Sequence, residues 1–103
     1  MFEINGEYWG IFIVSPNHHS LMRSDGSFTI GVCDNNEKRI YISDGLEPLL
    51  MKKVLAHEIT HAAMFSYGVN LSLSQEELLA DLIATYGQEI ICIANKIFHR
   101  ITE

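Results

Sequence analysis

Residues 57–61 read His57-Glu58-Ile59-Thr60-His61, an H-E-x-x-H segment, and these residue types at this spacing can do metal chemistry. On a helix, positions four apart stack on one face, so His57 and His61 project side by side. Two imidazoles held like this reach one Zn²⁺ ion at about 2.0–2.1 Å. Glu58 then lies towards the open side of the ion. There it can take a proton from water that zinc has acidified to a pKa near about 7. The flanks predict the helix the geometry needs. Leu50, Val54, Leu55, Ile59, Ala62 and Phe65 recur at helical spacing across residues 46–67. A histidine pair turned inward with no ion would leave ring nitrogens short of partners.

Two histidines do not complete a protein zinc site, so a third ligand is expected downstream. The segment Gln75-Glu76-Glu77-Leu78-Leu79-Ala80-Asp81 carries Glu77 and Asp81 four apart, which puts two carboxylates on one helix face. Glu77 is the expected third ligand. Asp81 is expected behind it, accepting the spare N–H of a ligating histidine and orienting the ring. A His-His-Glu set leaves the fourth position open, as catalytic zinc requires. Two other readings compete. Ser74 with Glu77 matches a capping box, which would occupy Glu77 at the helix start, while Ser72 with Gln75 offers an earlier box that frees it. Glu76 is a rival ligand, although Ala80 stands four residues on and offers no supporting carboxylate.

Elements must then position these groups. Residues 7–15 are aromatic and β-branched and stop before Pro16, which predicts a strand. Residues 27–33 place Phe28, Ile30 and Val32 on one face by two-residue alternation. After the polar turn at residues 34–37, residues 39–43 return as a third strand, so the second and third form a hairpin. A helix over 46–67 follows, stopped at Tyr67-Gly68 because glycine takes the left-handed cap conformation at low cost. A second helix is predicted over 74–100. Its stripe of Leu79, Ile83, Tyr86, Ile90, Ile93 and Ile97 reads as core-facing, beside the small residues Ala80, Ala84 and Gly87. The expected architecture is one α+β domain over residues 1–103: about three antiparallel strands, then the helix with the histidines, then the helix with the glutamate.

The histidine segment, followed by Glu77-x-x-Ala80-Asp81, resembles the gluzincin metallopeptidases, whose glutamate helix carries a motif of the E-x-x-A-D kind. The small size and the element order look like the minigluzincins and the ImmA/IrrE-type metallopeptidases of phages and mobile elements. The likeness runs from Gly31 to Asp81, about half of the chain. It implies a small zincin-like domain with one zinc ion held by His57, His61 and Glu77. It also implies a catalytic base or acid at Glu58 and a supporting role for Asp81. Thr60 stands where many of these relatives have glycine, and a helix tolerates threonine there.

By the same resemblance the activity is peptide-bond hydrolysis on a protein or peptide, with a regulator as one candidate target. The alternative is a zinc-holding scaffold, latent or inactive, that acts by binding such a partner. In minigluzincins a terminal segment can fill the cleft, which points to residues 1–6 or 98–103. Larger gluzincins add a subdomain that supplies an oxyanion donor. Here the donor must come from within the chain, and His18, His19, Tyr67, Tyr86 and His99 are the candidates.

Composition narrows the partners further. The 103 residues include 48% apolar and 19% charged side chains, a folded chain by these proportions. Seven Lys and Arg against thirteen Asp and Glu give a net charge of -6, the wrong sign for holding a nucleic-acid backbone. No basic run exceeds the pairs Lys38-Arg39 and Lys52-Lys53, so an anionic membrane is not an expected partner. The surplus acid favours a basic peptide. The longest apolar runs are too short to span a bilayer, and the first residues lack a basic leader segment. Cys33 and Cys92 make no disulfide framework and are expected as buried thiols in a cytoplasmic protein.

Overall fold

Asn5 and Gly6 decide how the chain begins. In the computed structural model, which describes residues 1–103, both adopt positive φ, 50° and 80°. A two-residue hairpin turn that matches the strand twist requires this. The turn folds β1 (Phe2–Ile4) antiparallel onto β2 (Glu7–Val14), with Ile4 opposite Glu7. A second, expected hairpin joins β3 (Gly31–Asp34) to β4 (Arg39–Ser43). In its turn Asp34 Oδ1 accepts from the amides of Asn36 and Glu37.

The sheet has the order β1-β2-β4-β3, and β2 runs parallel to β4, Ile11 beside Ile40 and Ile13 beside Ile42. It is therefore four-stranded and mixed, which corrects the expected three-stranded antiparallel sheet within the same α+β class. The cause is the connection: residues 15–30 carry the chain across before it pairs again, as a parallel neighbour needs. The strand expected over 27–33 is shorter for a related reason. Arg23 N–H donates to Ser27 O and Thr29 N–H to Leu21 O. Residues 27–29 thus bond to the crossing segment, which includes a single 3-10 turn (His19–Leu21), and pairing with β4 is left to Gly31–Asp34, with the Ile30 carbonyl accepting from Ser43 N–H.

Helix α1 (Pro48–Ser66) lies on one face of this sheet. Trp9, Ile40 and Ile42 from the strands meet Val54 and Ala62 of the helix in the buried core. The Trp9 indole N–H donates to Ser66 Oγ and Asn5 Nδ2 donates to Ser66 O, both at 2.9 Å, which ties the end of α1 to the sheet. The stop at Tyr67-Gly68 is as read. Gly68 has φ 65°, its N–H reaches Phe65 O, and Val69 N–H reaches Met64 O, the paired bonds of a Schellman cap.

Helix α2 (Leu73–Thr102) starts at Ser72, whose hydroxyl accepts from Gln75 N–H while the Gln75 side chain accepts from Ser72 N–H. The earlier of the two capping boxes is the one used. α2 runs back along α1 and packs chiefly on it. At 1.5 Å per residue its 30 residues span about 45 Å against about 28 Å for the 19 of α1. Its last turns therefore extend past its neighbour, and the molecule is 54 Å long. The expectation of a core-facing stripe fails here: Ala80 is the one buried residue of α2, and Tyr86, Ile90, Ile93 and Ile97 are about half exposed. The cysteines differ from expectation too. Cys92 is exposed and Cys33 is partly buried, its thiol pushed up to about 12 mainly by burial. No helix is long and apolar enough to cross a membrane.

Candidate metal centre

His57 and His61 stand on the side of α1 that α2 covers, one turn apart, with Nε2 atoms 3.2 Å from each other. The Glu77 carboxylate straddles them, Oε2 3.2 Å from His57 Nε2 and Oε1 3.0 Å from His61 Nε2. Behind the rings, His57 Nδ1 lies 3.0 Å from Asp81 Oδ1 and His61 Nδ1 lies 2.7 Å from Glu76 Oε1. These outer carboxylates assign the tautomers. With Nδ1–H donating to Asp81 or Glu76, each Nε2 is the ring nitrogen that can offer a lone pair. Two Nε2 atoms and a carboxylate thus converge on one point.

That donor set fits a small divalent cation. Ligands at about 2.0–2.1 Å on a tetrahedral ion lie about 3.3 Å apart along its edges; the two Nε2 atoms, 3.2 Å apart, match one such edge, and one ligand atom from each of the three residues lies within 4.8 Å of the others. The three are also the one group of His, Cys, Asp or Glu residues in the chain whose ligand atoms gather for a metal. Nitrogen and oxygen ligands of this mixture suit zinc and its first-row neighbours.

Glu58 is buried and faces the same cleft as His57. Burial pushes its carboxyl above the ordinary range, while His57 and His61 pull it down and Glu77 pushes it up. Room for it depends on Gly31. A Cβ at that position would lie 2.7 Å from Val54 Cγ1 and 3.0 Å from Glu58 Oε2, so the glycine lets β3 pass close over α1. Gly31→Ala is expected to cost about 1–3 kcal/mol by overpacking, read as a lower urea midpoint at unchanged slope. An unchanged midpoint would show that the strand has slack. Thr60, the departure from glycine, is accommodated by its own helix, its hydroxyl donating to Ala56 O at 2.8 Å.

The cleft itself holds about 260 Å³, walled by Thr29 and by Gly31 at the start of β3, His57 and Glu58 of α1, and Asp81 of α2. β3 is an edge strand, so the sheet edge that borders the cleft is now defined. None of the five expected oxyanion donors lines it. His18 and His19 stack on each other, and His18 stacks on Tyr41, which alternates with the inward Ile40 and Ile42 and so lies on the far sheet face. Tyr67 caps α1 and is exposed, Tyr86 is exposed on the free stripe, and His99 sits near the far end of α2. The lysine on the wall is Lys53, one turn before His57. Its i−4 spacing from the first histidine was the available signal.

Nor do the chain ends reach the site. Residues 2–4 are bound into β1 at the edge opposite β3. α2 carries Glu103 about 39 Å along its axis from Glu77. Glu76, weighed as a ligand, instead holds the back of His61.

Comparison of this α+β domain with protein-family models, with curated proteins and with solved structures finds no match.

Proposed function

We propose that the chain is a minimal zinc-dependent peptidase of gluzincin type, with His57, His61 and Glu77 holding one zinc ion. The observation that carries this is the convergence of His57 Nε2, His61 Nε2 and the Glu77 carboxylate, with Asp81 and Glu76 against the outer ring nitrogens. A bound zinc would supply Lewis acidity, polarising a carbonyl and lowering the pKa of water towards about 7. Glu58 takes the proton from the attacking water and delivers it to the leaving amine nitrogen. Its burial raises the proton affinity of the carboxylate, which suits a group that must both accept and return a proton. Lys53, on the cleft wall, donates towards the carbonyl oxygen as it gains charge. The open edge of β3 takes the substrate as an added extended strand. With Glu58 and Asp81 also on the wall, a basic peptide or protein segment is the favoured substrate.

Elemental analysis of the purified protein tests the site. About one zinc per chain is expected for the wild type and much less for Glu77→Ala, since a three-ligand site loses its only carboxylate. A wild type that takes up no metal after incubation with zinc would remove the peptidase reading altogether. A second reading, a zinc-holding scaffold that binds a regulator without cutting it, is favoured by one fact: the expected oxyanion donors lie away from the cleft. It shares the metal result and parts from the first reading only at Glu58.

A further inference from the structure

The stripe that fails to meet the core has a precise pattern. Leu79, Ile83, Tyr86, Ile90, Ile93 and Ile97 are spaced four, three, four, three and four residues apart, a strict a/d heptad seam, narrower than the face of an ordinary core helix. From Ile83 to Ile97 the seam residues are 41–53% exposed, and α1, with 19 residues against the 30 of α2, is too short to cover its last turns. A seam of this kind asks for another helix.

We propose that its partner is the α2 of a second copy, antiparallel about a two-fold axis near residues 91–92. In an antiparallel pair each a residue layers with a d residue of the other chain. Placing Ile90 against Ile93 of the second copy also brings Tyr86 against Ile97, and symmetry repeats both layers. The same register decides the flanks. Glu89 and Lys96 are seven apart and share one side of the seam. In this alignment Glu89 of each copy comes beside Lys96 of the other, giving two opposite-charge pairs. On the other side Gly87 meets Ala94 of the second copy, small against small, which allows close approach. A parallel pair offers Glu89 only Ala94 and Lys96 only Ile101, and so forms no such charge pair. The chain is thus complementary to itself, which a two-fold interface requires. Beside the seam, a groove of about 790 Å³ between α1 and α2, walled by Leu49, Ala56, Gly87 and Ile91, lies where the apolar tip of the second α2, Phe98 and Ile101, would come to rest.

Sedimentation equilibrium of the full chain tests this, because every position changed is exposed and far from the histidines. The wild type is expected to dimerise reversibly, and Ile90→Glu to be monomeric at the same concentrations. Glu89→Lys and Lys96→Glu should each weaken association about tenfold, since each turns two attractions into two repulsions. The double exchange should restore it. Unchanged helix content by circular dichroism and unchanged zinc content would confirm that the variants fold. A monomer throughout, or a dimer indifferent to the single charge changes, overturns the proposal. So does a seam that takes up a different protein and leaves no self-association.

Discussion

Glu58→Gln is expected to retain about one zinc per chain and to lose hydrolysis of a basic fluorogenic peptide library by about 10²–10⁴-fold. The substitution keeps volume and shape in a place where both are constrained, with the Gly31 backbone close against the side chain. What it removes is the ability to accept a proton, because an amide oxygen is far too weak a base at neutral pH. None of the metal-binding atoms changes, so the ion should remain. The two measurements together separate the readings. Lost hydrolysis with retained metal assigns Glu58 to proton transfer. Hydrolysis equal to the wild type would end the proposed mechanism. Should neither protein hydrolyse anything while both hold zinc and capture an intact regulator, the scaffold reading would stand in its place.

The parts of this site that were legible in the sequence are those set within one helix. The i, i+4 placement of His57 and His61, and of Glu77 and Asp81, follows from helical pitch alone, and the structure puts both pairs where that pitch requires. What joins two helices was only half legible. Glu76 and Glu77 are neighbours, so their side chains leave α2 about 100° apart. Which one faces the ring Nε2 atoms and which one faces a ring Nδ1 depends on how α2 crosses α1, and no local pattern encodes that. Lys53 and Gly31 were hidden for the same reason, since a cleft wall is assembled from three elements.

The sheet divides along similar lines. The β3–β4 hairpin and its polar turn were readable because all their information lies within about a dozen residues. The parallel pairing of β2 with β4 was not, since alternation says which face a residue takes and nothing about which strand lies beside it. Asn5-Gly6 is the local signal for β1, a residue pair suited to the positive φ of a two-residue hairpin turn. The stripe on α2 shows the other limit: its period was plain, but a period cannot say whether the surface that covers it belongs to the same chain.

The carboxylates behind the histidines provide the strongest test that the site was built for metal. Glu76→Gln and Asp81→Asn are each expected to weaken zinc binding within the 10–100-fold range usual for such partners, measured by competition against a chromophoric chelator. Two effects act in the same direction. A neutral amide no longer enhances the basicity of the imidazole through its Nδ1–H. An amide can also turn its NH₂ towards Nδ1, moving the ring proton to Nε2 and blocking the metal-binding lone pair. Their sizes should differ, because the Glu76 side chain is only 18% exposed and that of Asp81 is 68% exposed. Water screens the outer pair and can replace it, so Asp81→Asn should fall near tenfold and Glu76→Gln near a hundredfold. The double variant should approach the product, since the two carboxylates act on different rings. A coincidental histidine pair would respond otherwise: it would gain stability from these ion pairs and hold no zinc in any variant. Equal, negligible changes in zinc affinity would place the two carboxylates outside the metal centre and leave His57, His61 and Glu77 to hold the ion unaided.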